Sequence, residues 1–354
     1  MKQAVLMKGN EAIAEAAIAA GCRHYFGYPI TPQTEIAAYM AKRMPQVGGV
    51  FLQAESEIAA IHMVYGASAA GKRVMTSSSG PGISLKGEGL SYLAGSDLPA
   101  LVINVQRGGP GLGGIQPSQS DYLQATRGGG HGDFRNIVLA PASVQEMASL
   151  TVKGLDLADQ YRMTAMILSD GTIGQMMEPV TLEIPALEPC DKPWALTGTK
   201  MAREKNIVTS LYLAPRELEQ KNLDRFARYR MIEENEVLYE AYQMEDAEIC
   251  VVAYGISARV SRSAVNAARE RGIRVGMIRP ITLWPFPNRA LAEAAKTVSH
   301  FLSVEMSMGQ MVQDIELAIR CARPVALVSH VGGVIPTPEE VLSAIEREAG
   351  GERV

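Results

Sequence analysis

Four stretches of this sequence carry side chains that could bind and orient a small polar or anionic molecule. Residues 27–34 read GYPITPQT. Pro29 and Pro32 fix their own φ angles and bias Tyr28 and Thr31 away from the helical region, which holds Thr31 in a rigid, extended frame as a fixed hydrogen-bond donor. The competing reading is a proline-punctuated loop whose Thr31 or Thr34 caps a helix beginning near Glu35. Glu55 and Glu57 stand at the start of the helix-like run IAAIHMVYGASAAG. The helix macrodipole favours carboxylates at that end on structural grounds alone. Residues 77–82 read SSSGPG, with Ser79 and Gly80 between an apolar stretch and a helix-like one. Such a turn can place backbone N–H groups against an anion or a polar ligand. Arg107 follows the apolar run ALVINVQ and precedes the glycine-rich GGPGLGG. Ligands gather at the carboxyl ends of parallel strands, so an Arg there can clamp a carboxylate; a solvated Arg on a surface turn is the other possibility.

The elements that must position these groups alternate. Helices are predicted over 10–20, with Asn10 as N-cap and Gly21 just beyond the end, over 35–44, and over 143–159 with Ser143 as cap and Glu146 at N3. Strands are predicted over 24–28, 49–53, 73–77, 100–106, 136–139 and 164–168. That alternation predicts a parallel sheet with helices on both faces, ending near Pro179. Pro185, Pro189 and Pro193 punctuate the next stretch, and 215–242 reads as one long helix, either an arm onto another subunit or a solvated connection. A second β/α series opens at 248–254, with a helix over 261–271 and strands over 273–278, 300–305 and 324–330. The division is thus 1–180, a connecting 181–245, and a smaller α/β domain over 246–354.

Composition excludes several classes. A net charge of −4 over 354 residues, with no Lys/Arg run, argues against nucleic acid as the main partner and gives no support to a membrane surface. Cys22, Cys190, Cys250 and Cys321 are far apart and form no CxxC pair, so neither zinc nor an iron–sulfur cluster is expected here. No apolar run approaches a membrane span of about 18 residues, and the start of the chain is too short for a signal segment. A cytoplasmic protein is expected. No GK[ST] follows the Ser/Gly turn, and no GxGxxG follows a first strand, which counts against a P-loop enzyme and an NAD-binding dehydrogenase.

Taken in order, GNEAIAEAAIAAGCRHYFGYPITPQTE, QAESEIAAIHMVYGASAAG, TSSSGPGISL and VQRGGPGLG resemble the α subunit of the 2-oxoacid:ferredoxin oxidoreductases, in particular the 2-oxoisovalerate (branched-chain) type. VAYG, RPITLWPFP and SVEMSMGQ are similar to the transketolase C-terminal domain. The resemblance implies a thiamine diphosphate pyrimidine-binding domain followed by a transketolase C-terminal-like domain. It also implies one buried Glu, hydrogen-bonded to the aminopyrimidine, that promotes loss of the thiazolium C2 proton. By position that residue is Glu57, with Glu55 the second choice. Thr31 and Arg107 are implied to hold the substrate carboxylate, and Tyr28, Pro29, Ser79 and Gly80 to line the cofactor site.

What is missing matters equally to the resemblance. No GDG stretch of the diphosphate- and magnesium-binding half is present, and HGDF at 131–134 lacks the pattern. Thiamine diphosphate with Mg2+ is therefore expected to lie between this chain and a β subunit. The 4Fe–4S clusters and CoA are expected elsewhere in the complex, with a γ subunit, a ferredoxin-like δ subunit and ferredoxin as acceptor. A 2-oxoglutarate enzyme is the alternative, with Arg127, His131 or Arg135 available for a second carboxylate. A non-catalytic scaffold on the same fold is a further one. HVGGVIPTPEE at 330–340 stands where an Arg is expected in many relatives, so no CoA contact is assigned to this chain.

Overall fold

Seven consecutive buried residues, Ala100–Gln106, make a strand that must be covered on both faces, and the larger sheet is built around it. The computed structural model describes residues 4–182 and 191–350, so Pro185, Pro189 and Cys190 lie outside the described residues. The first half runs β1 (Val5–Lys8), α1 (Gly9–Ala19), β2 (His24–Gly27), α2 (Thr34–Arg43), β3 (Val50–Gln53), α3 (Glu57–Ala69) and β4 (Val74–Ser78). It continues with α4 (Pro81–Leu85), α5 (Gly87–Gly95), β5 (Ala100–Gln106), α6 (Tyr122–Thr126), β6 (Ile137–Leu139), α7 (Val144–Tyr161), β7 (Thr164–Asp170), α8 (Gly171–Gln175) and β8 (Met177–Val180). The second half comprises α9 (Pro215–Asn235), β9 (Tyr239–Tyr242), β10 (Ile249–Ala253), α10 (Gly255–Glu270), β11 (Val275–Pro280) and β12 (Thr282–Trp284). It ends with α11 (Asn288–Ala294), β13 (His300–Glu305), α12 (Met311–Ala318), β14 (Val325–Ser329) and α13 (Pro338–Gly350).

The larger sheet has the order β12-β6-β7-β5-β4-β2-β3, parallel except for β12, and the smaller has the order β14-β13-β10-β11-β9, parallel except for β9. In both, the parallel strands are predominantly Val, Ile, Leu and Met, and a fully buried side chain of that kind contributes about 1.5–3 kcal/mol. α1 begins at Gly9, not at a cap on Asn10, and α10 begins at Gly255, ahead of the expected Ser261. The long helix is shorter than its apolar spacing predicts. It ends at Asn235, and Tyr239–Tyr242 pairs with β11 instead, because an open sheet edge offers those backbone groups partners that further helix would not. α9 docks on its own chain, where Arg228 and Arg225 face Asp97, while Leu218, Leu223 and Met231 stay exposed.

Asp170 ties the two halves together. Its carboxylate accepts from Thr172 N at 2.9 Å and Ile173 N at 3.1 Å at the start of α8, and from Ile256 N of α10 at 3.3 Å. Burial pushes its pKa up to about 6, against the lowering effect of those amides. Because the folded value lies above the unfolded one, this carboxyl's contribution to stability is complete below pH about 4 and is lost as pH rises through about 6. Asp170→Asn cannot ionise, so its stability relative to wild type should be greater at pH 7 than at pH 4.5, by about 2 kcal/mol at most. Denaturant unfolding at the two pH values measures the difference. An equal gap at both would contradict the assignment.

Candidate functional site

All four chemically interesting stretches emerge at the carboxyl ends of adjacent strands: the proline loop after β2, Glu57 after β3, Ser79–Gly80 after β4 and Arg107 after β5. The chain goes outward from β2 to β3 and then returns to place β4 on the other side of β2. That reversal opens a crevice between β2 and β4, the position where open α/β sheets bind ligands.

The proline loop is held from below by buried polar groups. Ser77 Oγ donates to Gln33 Oε1 at 2.6 Å, which leaves Tyr25 as the donor in its 2.7 Å bond to Ser77 Oγ. Asn10 Nδ2 donates to Pro32 O at 2.8 Å and to Glu35 Oε2 at 2.9 Å, and Gln175 Nε2 reaches the same two residues. Asn10 is thus a loop support carried inside α1. With its base fixed, the loop presents Tyr28, Pro29 and Thr31 outward, all three exposed.

Glu57 is the first residue of α3, after Ser56, whose Oγ accepts from Ala59 N at 3.2 Å. It is 6% exposed, whereas Glu55 is exposed. Among the described residues, no group hydrogen-bonds or pairs with the Glu57 carboxylate within 4 Å. Gly82 lies against it, since a Cβ there would come 2.6 Å from Glu57 Oε1 and 2.2 Å from Ser78 Oγ. Gly80 has φ +44°, in the left-handed region that favours glycine, and packs against the Arg107 side chain. The amides of Gly82, Ile83 and Ser84 are bonded back to Ser79 O and Gly80 O, so these amides do not form the anion cradle that the turn's sequence suggests. What the turn leaves over is Ser78 Oγ and Ser79 Oγ, both buried and without partners among the described residues, together with Lys86 Nζ. Gly82→Ala should leave the fold intact, because the displaced atoms are side-chain ends. The added methyl should displace the Glu57 carboxylate and Ser78 Oγ, with the thermal melt of the variant close to that of the wild type.

Arg107 is 6% exposed, and its Nη1 and Nη2 donate to Thr31 O at 2.9 Å and to Leu112 O at 3.0 Å. Two of its five N–H groups are used there, and Nε is buried without a partner among the described residues. The guanidinium therefore joins the proline loop to the glycine-rich loop and still has donors to offer. The second domain closes over this edge. Gly108 packs on Gly332, and a Cβ at Gly333 would fall 2.2 Å from Gln116 Cβ. Gln119 links the halves further, donating to Tyr254 O and accepting from Ser257 Oγ and Met306 N. The long irregular segment between β5 and β6 is thus fastened by the C-terminal domain.

The structure does not bring every candidate to this crevice. Arg127 is paired with Asp314 at 2.5 Å. With Arg135, Arg230, Arg289 and Arg320 it lines a separate cleft of about 880 Å³ beside α9 and α12. His131 is exposed, and its carbonyl accepts from Ser91 Oγ. Gln33, Ser78 and Lys86 belong to the site and escaped sequence reasoning, because an isolated polar residue in a Ser- or Lys-containing turn looks solvated. Burial pushes the Cys22 thiol up to about 11 and the Cys250 thiol up to about 12. Among the described residues no three His, Cys, Asp or Glu side chains converge as a metal site, and no helix is long and apolar enough to cross a membrane.

Comparison with known proteins gives two family matches. Residues 15–218 match "Pyruvate flavodoxin/ferredoxin oxidoreductase, thiamine diP-bdg", and residues 247–341 match "Pyruvate:ferredoxin oxidoreductase core domain II". The chain is 54% identical to the ketoisovalerate oxidoreductase subunit VorB of Methanothermobacter thermautotrophicus, over 98% of each chain. It is 38% identical to the 2-oxoglutarate synthase subunit KorA of Methanocaldococcus jannaschii, over 96% of this chain and 98% of that one. Among solved structures, the 2-oxoglutarate:ferredoxin oxidoreductase of Magnetococcus marinus, with 2-oxoglutarate, coenzyme A and succinyl-CoA bound, superposes with a TM-score of 0.86 at 31% identity. That match takes in 98% of this chain and 65% of the solved chain. A split-gene transketolase, an inactive β4 tetramer, shares the fold with a TM-score of 0.61 at 14% identity over the whole of both chains.

Proposed function

Because this chain belongs to the pyruvate flavodoxin/ferredoxin oxidoreductase family, we propose that it is the α subunit of a heteromeric, CoA-dependent 2-oxoisovalerate:ferredoxin oxidoreductase. In this reading residues 1–180 form the pyrimidine-binding domain, 181–245 the connection with α9, and 246–354 the transketolase C-terminal-like domain. A β subunit contributes the diphosphate and Mg2+ site and an iron–sulfur cluster. γ and ferredoxin-like δ subunits complete the complex, and ferredoxin accepts the electrons. The observation that carries the proposal is Glu57, a buried carboxylate with no partner among the described residues, beside two buried hydroxyls that also lack partners among them.

Those groups fit a polar aromatic ring: a carboxylate and hydroxyls for its nitrogens, and Gly80 and Gly82 where backbone must come close. Thiamine diphosphate, when bound, supplies a carbon nucleophile and an electron sink for a 2-oxoacid that loses carbon dioxide. Glu57 presents its carboxylate to the ring side of the crevice, where Oε1 or Oε2 can exchange a proton with a ring nitrogen. Tyr28, Pro29, Ser79 and Gly80 line that side. Arg107 and the Thr31 hydroxyl hold the substrate carboxylate next to the reacting carbonyl, with Arg107 already locked to the Thr31 backbone. The C-terminal domain, through Gly332 and Gln119, keeps the glycine-rich loop in place and limits water at that edge.

A 2-oxoglutarate substrate is the second reading, supported by the KorA relatives and the Magnetococcus structure. It needs a cation for the distal carboxylate, and Arg127 is committed to Asp314. The higher identity to the ketoisovalerate subunit favours the branched acid. A scaffold without catalysis gives no reason to bury an unpaired Glu. Calorimetric titration with thiamine diphosphate and Mg2+ tests the division of the site. Binding is expected in the assembled complex and in neither subunit alone; tight binding by this chain alone would refute a shared site.

A further inference from the structure

The cleft of about 880 Å³ beside α9, α11 and α12 plays no part in the crevice at the strand ends. Its lining includes Arg127 at the end of α6, Arg135 ahead of β6, Arg230 on α9, Arg289 on α11 and Arg320 just past α12. Five separate elements thus bring guanidiniums to one hollow, against the carboxylates of Glu233, Glu234 and Asp314, in a chain whose net charge is −4. Asp314 is taken up by Arg127 and by the Tyr122 hydroxyl, which donates to it at 2.6 Å. The side chains of Arg230, Arg289 and Arg320 have neither an ion pair nor a hydrogen bond among the described residues. Glu233 and Glu234 stand three and four residues beyond Arg230 on α9, within reach of a pair, and neither forms one. Arg320 has φ +53°, in the left-handed region that side chains rarely adopt, so the chain accepts an unfavourable backbone at the cleft wall. Like charges gathered in a concave surface focus a positive potential into it, and that potential attracts an anion.

The floor is apolar and firmly held. Leu283, Trp284 and Phe286 are buried there, and Trp284 packs edge-on against Tyr229 with 5.4 Å between ring centroids. The Tyr229 hydroxyl in turn accepts from Arg135 N at 3.3 Å, which ties α9 to the wall opposite. Tyr239 adds a half-exposed ring at the edge. Guanidinium forks match the oxygens of phosphate, and several of them on separate elements suit more than one anionic group. An apolar floor with an aromatic edge suits a flat organic body. The volume falls within the range of about 300–1,000 Å³ typical of small-molecule sites.

We propose that this cleft is a second ligand site of the chain and takes a nucleoside diphosphate, with the phosphates on Arg230, Arg289 and Arg320 and the base against the Trp284–Phe286 floor. The inference does not depend on the role of Glu57. The nucleotide end of CoA shares this chemistry, so the experiment separates the two sources. ADP, adenosine and CoA are titrated calorimetrically into the full chain and into the assembled complex, each as wild type and as the double variant Arg230→Ala/Arg289→Ala. Both arginines are exposed and unpaired among the described residues, so the variant should melt like the wild type. ADP is expected to bind chain and complex, with adenosine at least about tenfold weaker. The double variant should weaken ADP about 10²-fold or more, since each hydrogen bond lost from a charged group is worth about tenfold or more. Parallel loss of CoA binding would assign the cleft to the CoA of the complex, and unchanged CoA binding would assign it to a separate nucleotide; both keep the proposal. If the double variant does not fold, Arg320→Ala is read in the same way. No ADP binding, or binding that the variant leaves unchanged, overturns the proposal. Binding shown by the free chain but lost on assembly also overturns it, by assigning the cleft to an acidic surface of a partner subunit.

Discussion

Replacing Glu57 by Gln is expected to lower 2-oxoacid-dependent electron transfer by the assembled complex about 10²–10⁴-fold, the usual worth of a positioned acid–base group. The change keeps the shape of the side chain and removes its ability to hold and release a proton. Glu57 sits at the first position of α3, and its carboxylate is bonded to nothing else among the described residues, so little structural cost should accompany the loss. Helix α3 keeps its Ser56 cap. The variant should therefore assemble and melt like the wild type while turning over poorly. Assembly by gel filtration, thermal melting and turnover of the same preparation separate the two. Turnover within a few-fold of wild type would remove Glu57 from its role.

Arg107→Met is expected to lower kcat/KM for the 2-oxoacid about 10²-fold or more, chiefly through KM. A hydrogen bond to a charged group is worth about 1.5–3 kcal/mol, and the guanidinium offers a forked pair of them to a carboxylate. The variant also frees Thr31 O and Leu112 O, which loosens both loops at the mouth of the crevice. Arg107→Lys distinguishes the effects, because it restores charge without the fork and should recover only part of the loss. Steady-state kinetics with saturating cofactor reads this directly. An unchanged KM in Arg107→Met would mean that the substrate carboxylate is held elsewhere.

Much of the first sheet was legible because its strands are short apolar runs separated by capped helices, as with Ser143 ahead of α7, whose Oγ accepts from Glu146 N. Pairing between distant edges was not legible. β1 with β8, β12 on the edge of β6, and β9 on β11 are strands of three or four residues whose identity comes from a partner far along the chain. At the site, Glu57 and Arg107 stood out because a charge next to an apolar strand is conspicuous. Asn10, Gln33 and Lys86 did not, since their roles depend on burial, which a single polar residue does not announce. Asn10 even imitated a helix cap, because the same short amide that caps a helix can also carry a loop.

The family membership of the chain rests on nearly full-length similarity. Its proposed place in a 2-oxoacid oxidoreductase rests on Glu57, unpaired among the described residues, and on the Arg107–Thr31 lock, and the branched-chain assignment on the higher identity to the ketoisovalerate subunit. The most direct test is viologen dye reduction by this chain purified with its partner subunits, given CoA and thiamine diphosphate, with 2-oxoisovalerate, 2-oxoglutarate and pyruvate compared. The expected result is reduction that requires the partners and the cofactor and has its highest kcat/KM with 2-oxoisovalerate. Reduction led by 2-oxoglutarate would contradict the substrate assignment, and no reduction with any 2-oxoacid by a fully loaded complex would contradict the function itself.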